Sequence, residues 1–567
     1  MVALIERRWT GRVRLAACLA ALLFGAQLAI FLLLYVGGFY ASRFVGRLIT
    51  YDLVVLAIDE GFVRAAHWGG LAGQIGLVLL AAVVLAGTFT IGAVLAGSLA
   101  ALFRALPSRR MVLLAGLPLL AYASSLLYVA RVVALPQPYY SDPLAAALIA
   151  TLVNTSGSDE ANRADRAAYA ALPAKGDGRN IIIIIADSLR ADHLPLYGYP
   201  RLTTPFLARL EAQGHLHKVR SATSTCSDSI CGILATLGSQ LPAHAAPNYN
   251  FLLTDALRDR GYRTHFLLSG PHQRYLPLPS LYGPPGAYDT FIDGDRSGRG
   301  ADDRLVIDAL AALPRSQGEP NFFFIFLMSS HVAGASVGGD GPFQPALDQF
   351  TAERLVENEN RHVLSPEVQL QNINRYDNGL VQADAFIEKT FSLLQEKGYL
   401  KKATVFILGD HSDALGERGL YLHNSYLYRE FTNIPLLIYD TDEAAYHGLD
   451  FADQTDIAPT ALERAGLPTP RNWRGQSLVS HPGRQVSFTQ NSALIYQPCR
   501  GVYLRRQGTL NYLVQCQTPD GGVREEMFDL TRDELGRQPI DPQLNPARTH
   551  DMRRLLSEEF PDRKNHY

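Results

Sequence analysis

A run of five isoleucines, residues 181–185, constrains the fold of this chain most strongly. A short, unbroken run of β-branched residues is typical of a strand that is buried on both faces, as in a parallel sheet. Similar apolar runs occur at 322–327, 404–408 and 433–439, and helical patterns such as 378–397 lie between them. Strands that alternate with helices predict an α/β sandwich around a mostly parallel central sheet.

The predicted strands are followed by residues of types that commonly serve as metal ligands in proteins. Asp187 follows the first strand, His331 follows the second, and Asp410 and His411 follow the third. Because ligands bind at the carboxyl ends of the strands in such sheets, we expect these side chains to converge. Carboxylates and imidazoles are ligands of zinc and related divalent ions. The sequence therefore predicts a metal site at this edge of the sheet.

Four motifs in the same part of the chain carry a family resemblance. They are Asp187-Ser-Leu-Arg190-Ala-Asp192-His193, then Tyr376-Asp377-Asn378, then Leu408-Gly-Asp410-His411 and its continuation to His423, and finally Asp456-Ile-Ala-Pro459-Thr460. Together they resemble the phosphoethanolamine transferases, which belong to the alkaline phosphatase/sulfatase superfamily. The resemblance covers residues 180–480.

The resemblance implies roles for five residues. Asp187, Asp410 and His411 match the zinc ligands of the family. His331 and His423 match histidines that contact the substrate phosphate. A zinc ion, or another divalent ion such as Mn²⁺, lowers the pKa of a nucleophile and polarises phosphoryl oxygens. The two histidines can stabilise charge or protonate a leaving alkoxide.

The nucleophile segment allows two alignments. The transferases carry Thr-x-Thr with a Cys six residues after the second Thr; Thr225 and Cys231 fit this spacing, which makes Thr225 the nucleophile and a fourth metal ligand. In the second alignment, Cys226 matches the reactive Cys of sulfatases. Cys226 also matches the Thr of the Thr-Ser-Asp motif in lipoteichoic-acid synthases, with Cys in place of that Thr. The sulfatase motif Cys-x-Pro-x-Arg is broken, because Asp228 and Ile230 replace its Pro and Arg. Both Thr225 and Cys226 remain candidates.

Five cysteines leave room for two disulfides in an oxidising compartment. Cys226 and Cys231 are one candidate pair, and this bridge would remove Cys226 as a nucleophile. Cys499 and Cys516, which flank a strand-like stretch at 502–514, are the other pair. Cys18 lies in an apolar stretch and is expected to be free.

Two further residues have structural alternatives. His193 has no strand-end position, so we expect it to have a structural role. Asp413 stands where the family tends to have Glu; it either orients a metal ligand or lies near a helix start. Both interpretations of Asp413 stay open.

The first 138 residues contain three uncharged stretches, at 15–36, 71–103 and 111–130. Each is long enough to cross a bilayer core of about 30 Å as a helix. Arginines precede the first stretch and separate the second from the third, so the positive-inside rule places the rest of the chain outside the cytoplasm. The predicted organisation is a transmembrane anchor over 1–138, a linker with helical pieces over 139–179, and a catalytic domain over 180–567.

The predicted function is that of a zinc-dependent phosphotransferase of the bacterial inner membrane with a periplasmic catalytic domain. The resemblance implies transfer of phosphoethanolamine from a phospholipid donor to a lipid A or glycan acceptor, through a covalent phospho-enzyme. The alternatives are a phosphoglycerol transferase, a sulfatase-like hydrolase or phosphodiesterase, and a non-catalytic membrane scaffold. The balance of 52 basic and 54 acidic residues argues against a nucleic-acid partner.

Overall fold

The computed structural model describes residues 156–561, except for 174, 245–249, 271, 273–280, 283–284, 332–340, 349–355, 359–360, 424–425, 443, 492–498 and 519–521. The described residues belong to one compact unit, Asn154–Arg563. Among them, none of the helices combines the length and the apolar character that a membrane crossing requires. The predicted spans at 15–36, 71–103 and 111–130 lie outside the described residues.

Helices and strands alternate along much of the described chain. The α-helices are α1 (Ser156–Ala170), α2 (Pro205–Ala212), α3 (Ser229–Gly238), α4 (Leu253–Arg258), α5 (Gly294–Ser297), α6 (Arg304–Ala312), α7 (Pro366–Lys397), α8 (Arg429–Thr432), α9 (Ile457–Arg464) and α10 (Pro546–Glu559). The strands are β1 (Asn180–Ala186), β2 (Leu216–Lys218), β3 (Ser221–Thr223), β4 (Arg263–Leu268), β5 (Thr290–Ile292), β6 (Asn321–Leu327), β7 (Val356–Asn358), β8 (Arg361–Val363), β9 (Ala403–Leu408), β10 (Ala414–Leu415), β11 (Tyr421–Leu422), β12 (Leu436–Asp440), β13 (Phe451–Asp453), β14 (Val486–Gln490), β15 (Cys499–Arg506), β16 (Thr509–Gln517) and β17 (Val523–Asp529).

A seven-stranded sheet forms the centre of this unit, in the order β2-β12-β9-β1-β6-β4-β5. The strands from β9 to β5 in this order run parallel. β12 is antiparallel to both of its neighbours. The prediction of an α/β fold with a mostly parallel central sheet is therefore confirmed for the described residues.

The isoleucines of β1 point alternately to the two faces of the sheet, and helices cover both faces. Ile181, Ile183 and Ile185 share a core with residues of α3, α4 and α9. Ile182 and Ile184 share a second core with residues of α2, α6 and α7. Burial of one such side chain stabilises the fold by roughly 1.5–3 kcal/mol, and no face of β1 is left for polar residues.

A second, antiparallel sheet of four strands, β14-β15-β16-β17, follows the central sheet in the chain. The stretch predicted as one strand at 502–514 is a hairpin instead, because Gln507 and Gly508 both adopt positive φ between β15 and β16. Cys499 and Cys516 face each other across this hairpin and form the predicted disulfide.

Candidate metal centre and active site

Three buried side chains form the centre of the candidate site. Asp187 follows β1, and Asp410 and His411 follow β9, which pairs with β1. His411 Nε2 lies 3.5 Å from Asp187 Oδ1 and 3.6 Å from Asp410 Oδ2. The carboxyl ends of two neighbouring strands therefore bring together three of the four side chains that were predicted as metal ligands, Thr225 being the fourth.

The electrostatics of this triad fit a divalent cation. Asp410 Oδ1 accepts hydrogen bonds from the backbone N–H of Ser188 and of His411, whereas the buried Asp410 Oδ2 has no hydrogen-bond partner. Burial and the nearby Asp410 raise the pKa of Asp187 well above its usual range. Burial alone would lower the pKa of His411, but the two carboxylates raise it to about 9. Two carboxylates and one imidazole match the ligand chemistry of zinc or manganese.

Two more histidines and an aspartate extend the site. His423 Nδ1 lies 2.7 Å from Asp413 Oδ1. The His423 ring lies 4.3 Å from the His411 ring and 5.5 Å from the His331 ring, measured between centroids. Burial and the neighbouring histidines lower the pKa of His331 to about 3. The structure thus places His331 and His423 beside the triad, with Asp413 holding His423.

Thr225 lies before α3 and is fully buried. Its backbone N–H donates to Gln454 Oε1 at 3.1 Å, and its Oγ1 lies 3.5 Å from the same atom. Gln454 in turn donates to the backbone oxygens of Gly409 and Asp410. Thr225 is therefore linked through Gln454 to the backbone of the loop after β9, and within the described residues no hydrogen bond joins its side chain to those of the triad.

Cys226 is joined to Cys231 by a disulfide, as the sequence allowed. This bridge leaves no free thiol at Cys226 for the nucleophilic role that was one of the two alternatives. Asp228 lies between the two cysteines and caps α3, because its side chain accepts a hydrogen bond from the Cys231 N–H at 3.3 Å.

Ser229 contacts the triad directly, and the sequence analysis did not single it out. It is the first residue of α3, and its Oγ lies 3.3 Å from His411 Nε2. The sequence signal that marks it is modest: a capping residue, Asp228, followed by Ser229 at the start of an apolar helix.

Arg375 of α7 is a second residue that sequence reasoning missed. It is 5% exposed, and its Nε makes one long contact, 3.5 Å, with Asn372 Oδ1. Among the described residues, no carboxylate forms an ion pair with it. Burial lowers the pKa of Arg375, and its charge acts on both Asp413 and His331. A buried guanidinium with this environment is suited to an anionic ligand such as a phosphate.

The Tyr376-Asp377-Asn378 motif has a supporting role in the structure. Asp377 contacts His193 Nδ1 at 2.8 Å and accepts hydrogen bonds from Tyr199 and Arg201. Asn378 exchanges hydrogen bonds with the backbone of Phe343. The structural role expected for His193 agrees with these contacts, which fix the loop after β1 onto α7.

A profile of the Sulfatase family matches residues 179–467, which is just over half of the chain. The chain belongs to the sulfatase family. This confirms the superfamily that the four motifs implied, and the matched range includes all three residues of the triad.

Curated relatives of this sulfatase-family chain include phosphoethanolamine transferases. Phosphatidylethanolamine transferase Mcr-2 of Escherichia coli is 22% identical over 314 residues, which cover 54% of this chain and 55% of the relative. Phosphoethanolamine transferase EptA of Salmonella typhimurium is 24% identical over 351 residues, which cover 58% and 57%. The chain therefore matches just over half the length of these relatives.

A solved structure supports the fold at low identity. A protein in complex with D-glucosamine-2-N,6-O-disulfate superposes with a TM-score of 0.54 and 15% identity. The alignment covers 68% of this chain and 99% of that protein. The sulfatase-type α/β fold of the described residues is thus shared with a distant structure.

Proposed function

We propose that this sulfatase-family protein is a metal-dependent phosphotransferase. It moves phosphoethanolamine from a phospholipid to a lipid A or glycan acceptor, through a covalent phospho-enzyme. The observation that carries the proposal is the buried triad of Asp187, Asp410 and His411, whose unpartnered Asp410 Oδ2 fits a divalent cation. Relatives named as phosphatidylethanolamine and phosphoethanolamine transferases support this substrate class, and one of them is named for a lipid A acceptor.

The residues of the triad would hold zinc or manganese, and the bound ion would lower the pKa of the nucleophilic hydroxyl and polarise the phosphoryl oxygens. Arg375 binds a non-bridging oxygen of the phosphate, since its guanidinium has no carboxylate partner among the described residues. Burial and the neighbouring histidines lower the pKa of His331, which favours its neutral form, so we expect it to contact the phosphate as a hydrogen-bonding group. His423, held at Nδ1 by Asp413, donates a hydrogen bond to the leaving oxygen.

The nucleophile is a hydroxyl of the segment that leads into α3, where the resemblance points to Thr225. A formylglycine-dependent sulfatase is disfavoured, because Cys226 is in a disulfide and its oxidation motif is broken. Attack of an acceptor hydroxyl on the phospho-enzyme completes the transfer, as in two-step covalent catalysis.

The proposed location is the bacterial inner membrane, with residues 1–138 as the anchor and the catalytic domain in the periplasm. The apolar stretches of the N-terminal part support the anchor. The disulfides Cys226–Cys231 and Cys499–Cys516 support an oxidising compartment for the catalytic domain.

The proposal is tested with the substitution Asp410→Asn in the full-length protein. Asn keeps an Oδ1 that accepts the two backbone N–H groups but removes the carboxylate charge from the metal site. Loss of a residue that only hydrogen-bonds to a metal ligand lowers metal affinity or activity by about 10–100-fold. Because Asp410 is itself a proposed ligand, we expect transfer from phosphatidylethanolamine to fall by more than about 100-fold. Zinc content, measured by elemental analysis, is expected to fall in parallel.

The matched control is Asp308→Asn, which changes an exposed carboxylate on α6. It should leave metal content and transfer unchanged. Undiminished transfer by Asp410→Asn, or full activity of metal-free protein, would contradict the proposal. Vesicles of phosphatidylglycerol serve as the second donor, and transfer of phosphoglycerol alone would replace the proposed head group.

A further inference from the structure

We propose that Gln454 is a positioning residue of the transfer reaction, which holds the segment that contains Thr225 against the loop that carries Asp410. This inference rests on the proposed function, with Thr225 as the nucleophile. Gln454 is fully buried, and its side chain hydrogen-bonds to the backbone of both segments. Its role is therefore to align two parts of the site, since an amide does not exchange a proton at ordinary pH.

The side-chain amide of Gln454 matches the groups around it. Its Oε1 accepts a hydrogen bond from the Thr225 N–H, and its Nε2 donates to the backbone oxygens of Gly409 and Asp410. A primary amide has two N–H donors and one acceptor oxygen, so one side chain serves all three backbone groups. A carboxylate of the same shape has no donor, and it would face the two backbone oxygens with repulsion.

A pair of short parallel strands brings Gln454 to this position. β13 pairs with β3, and their last residues, Asp453 and Thr223, are in register. Gln454 directly follows β13, and Ser224 and Thr225 directly follow β3. Because neighbouring parallel strands run in the same direction, the residues that follow them lie side by side. The chain therefore places the Gln454 amide next to the predicted nucleophile.

A buried charge network fixes the backbone that carries Gln454. Residues Gln454–Asp456 form a short 3₁₀-helix that follows Asp453. Asp453 and Asp456 are both buried, and Arg484 forms an ion pair with each of them. The Asp453 side chain also accepts a hydrogen bond from the Thr455 N–H. This turn is thus anchored independently of the metal loop, and the Gln454 side chain joins the two.

The hydroxyl of Thr225 is placed by its backbone and by the same amide. The Thr225 backbone oxygen accepts a hydrogen bond from the Gln490 N–H at 2.9 Å, and the Ser224 N–H donates to the backbone oxygen of Thr432 at 2.9 Å. Thr225 Oγ1 lies 3.5 Å from Gln454 Oε1, which is longer than an ordinary hydrogen bond between oxygens. Gln454 therefore fixes the backbone of the nucleophile and leaves its hydroxyl proton weakly held.

The test uses Gln454→Glu in the full-length protein, saturated with zinc and supplied with phosphatidylethanolamine vesicles. Misplacing a reacting group by about 1 Å costs about 100-fold in rate, so we expect kcat to fall roughly 10–100-fold. The KM for the donor should change by less than about twofold, because a fully buried side chain has no access to the donor. Gln454→Asn, which keeps the amide on a shorter stem, should show the same split between kcat and KM.

Zinc affinity, measured by chelator competition on the metal-free protein, is a readout that does not depend on turnover. We expect it to fall severalfold in Gln454→Glu, because the loop after β9 loses both hydrogen bonds from Nε2. The matched control is Gln240→Glu. Gln240 is also buried, and its amide donates to the backbone oxygen of Asn472, outside the site. This variant should lose stability but keep the kcat and zinc affinity of the wild type.

The outcomes separate the positioning role from the proposed function. Wild-type kcat in folded Gln454→Glu and Gln454→Asn would overturn the positioning role and leave the proposed function intact. Equal losses of kcat in Gln454→Glu and Gln240→Glu would also overturn it, because general loosening of the fold would then account for the effect. A wild-type protein that transfers neither phosphoethanolamine nor phosphoglycerol would overturn the proposed function and this inference with it.

Discussion

At the scale of single residues, the candidate site contains buried charged groups whose hydrogen bonds or ion pairs within the described protein are incomplete. Asp410 Oδ2 has no hydrogen-bond partner, and Arg375 has no ion pair within the described part of the chain. Burying such groups costs free energy unless a ligand compensates. The charge of Arg375 acts on Asp413 and His331 beside the triad, which fits a site that takes a cation and an anion together.

Replacing Arg375 with Ala tests the anion-binding role. A hydrogen bond to a charged group contributes about 1.5–3 kcal/mol, so we expect the KM for the phospholipid donor to rise roughly 10–100-fold. The free energy of unfolding should not fall, because the variant removes a buried cation that lacks an ion pair among the described residues. Steady-state kinetics with donor vesicles and chemical denaturation measure the two effects.

The exposed Arg315 provides the control, since Arg315→Ala changes a side chain that is 71% exposed. A KM that stays at the wild-type value in Arg375→Ala would show that this guanidinium does not bind the donor.

The convergence of the candidate metal ligands could be predicted from the sequence, because one rule links position in the chain to position in the fold. The carboxyl ends of adjacent parallel strands meet, so Asp187, Asp410 and His411 were expected to converge. No comparable rule predicts that Ser229 and Arg375 lie at the site. Ser229 is identified by its distance to a residue 182 positions away, and Arg375 reads in the sequence as an ordinary helical arginine.

At the scale of elements, the contact between α3 and the loop after β9 controls the geometry of the site. Gly232 permits it, since any side chain there would meet the backbone of Asp410. We expect Gly232→Ala to lower the free energy of unfolding by about 1–3 kcal/mol, the usual cost of overpacking. It should also weaken zinc binding, because the start of α3 and Asp410 must separate.

Thermal unfolding and chelator competition measure these two effects of Gly232→Ala. Gly286→Ala is the control, because a Cβ at Gly286 has no neighbour within 4 Å. We expect it to change stability by less than about 0.5 kcal/mol. Equal stability and zinc affinity in the two variants would contradict the role assigned to this contact.

The start of α2 depends on a buried carboxylate of α7. Asp384 accepts hydrogen bonds from the backbone N–H of Phe206 and Leu207, yet burial raises its pKa from 3.8 to about 6. Because the folded-state pKa is higher than the unfolded value, the folded protein keeps this proton to higher pH. The contribution of Asp384 to the free energy of unfolding therefore falls by about 3 kcal/mol as pH rises from about 3 to 7.

Asp384→Asn removes this titration. We expect the stability of the variant relative to wild type to rise by about 3 kcal/mol over the same pH range, measured by denaturant unfolding at several pH values. Glu396→Gln, an exposed change on the same helix, should follow the wild-type profile. Parallel pH profiles for Asp384→Asn and wild type would contradict the assigned pKa.

Elements were predictable where they are buried and long. The apolar runs at 181–185, 322–327 and 404–408 fall in β1, β6 and β9. The hairpin of β15 and β16 was read as a single strand, because a two-residue turn at Gln507 and Gly508 hardly interrupts the pattern. Short strands at the edges of the sheet, such as β2 and β5, contain too few residues for an alternating hydrophobic pattern to be recognised.

At the scale of the whole molecule, the predicted anchor over residues 1–138 makes a cellular prediction. The full chain should remain with the membrane after extraction with high salt and with alkaline carbonate, since three apolar stretches are long enough to cross the bilayer. Protease added to spheroplasts should digest the catalytic domain. Release of the intact chain into the soluble fraction by salt alone would contradict this prediction.

The order in which the sheet is built has a consequence for synthesis of the protein. β1 is the first of the central strands to be made, and it lies in the middle of the finished sheet between β6 and β9. At 5–20 residues per second, roughly 10–40 s separate translation of Ala186 and Ala403. During that interval the five consecutive isoleucines of β1 lack a neighbouring strand on at least one side. An unpaired segment that is apolar, uncharged and rich in β-branched residues favours aggregation. A strand that is fully buried in the folded domain is therefore vulnerable to aggregation during translation.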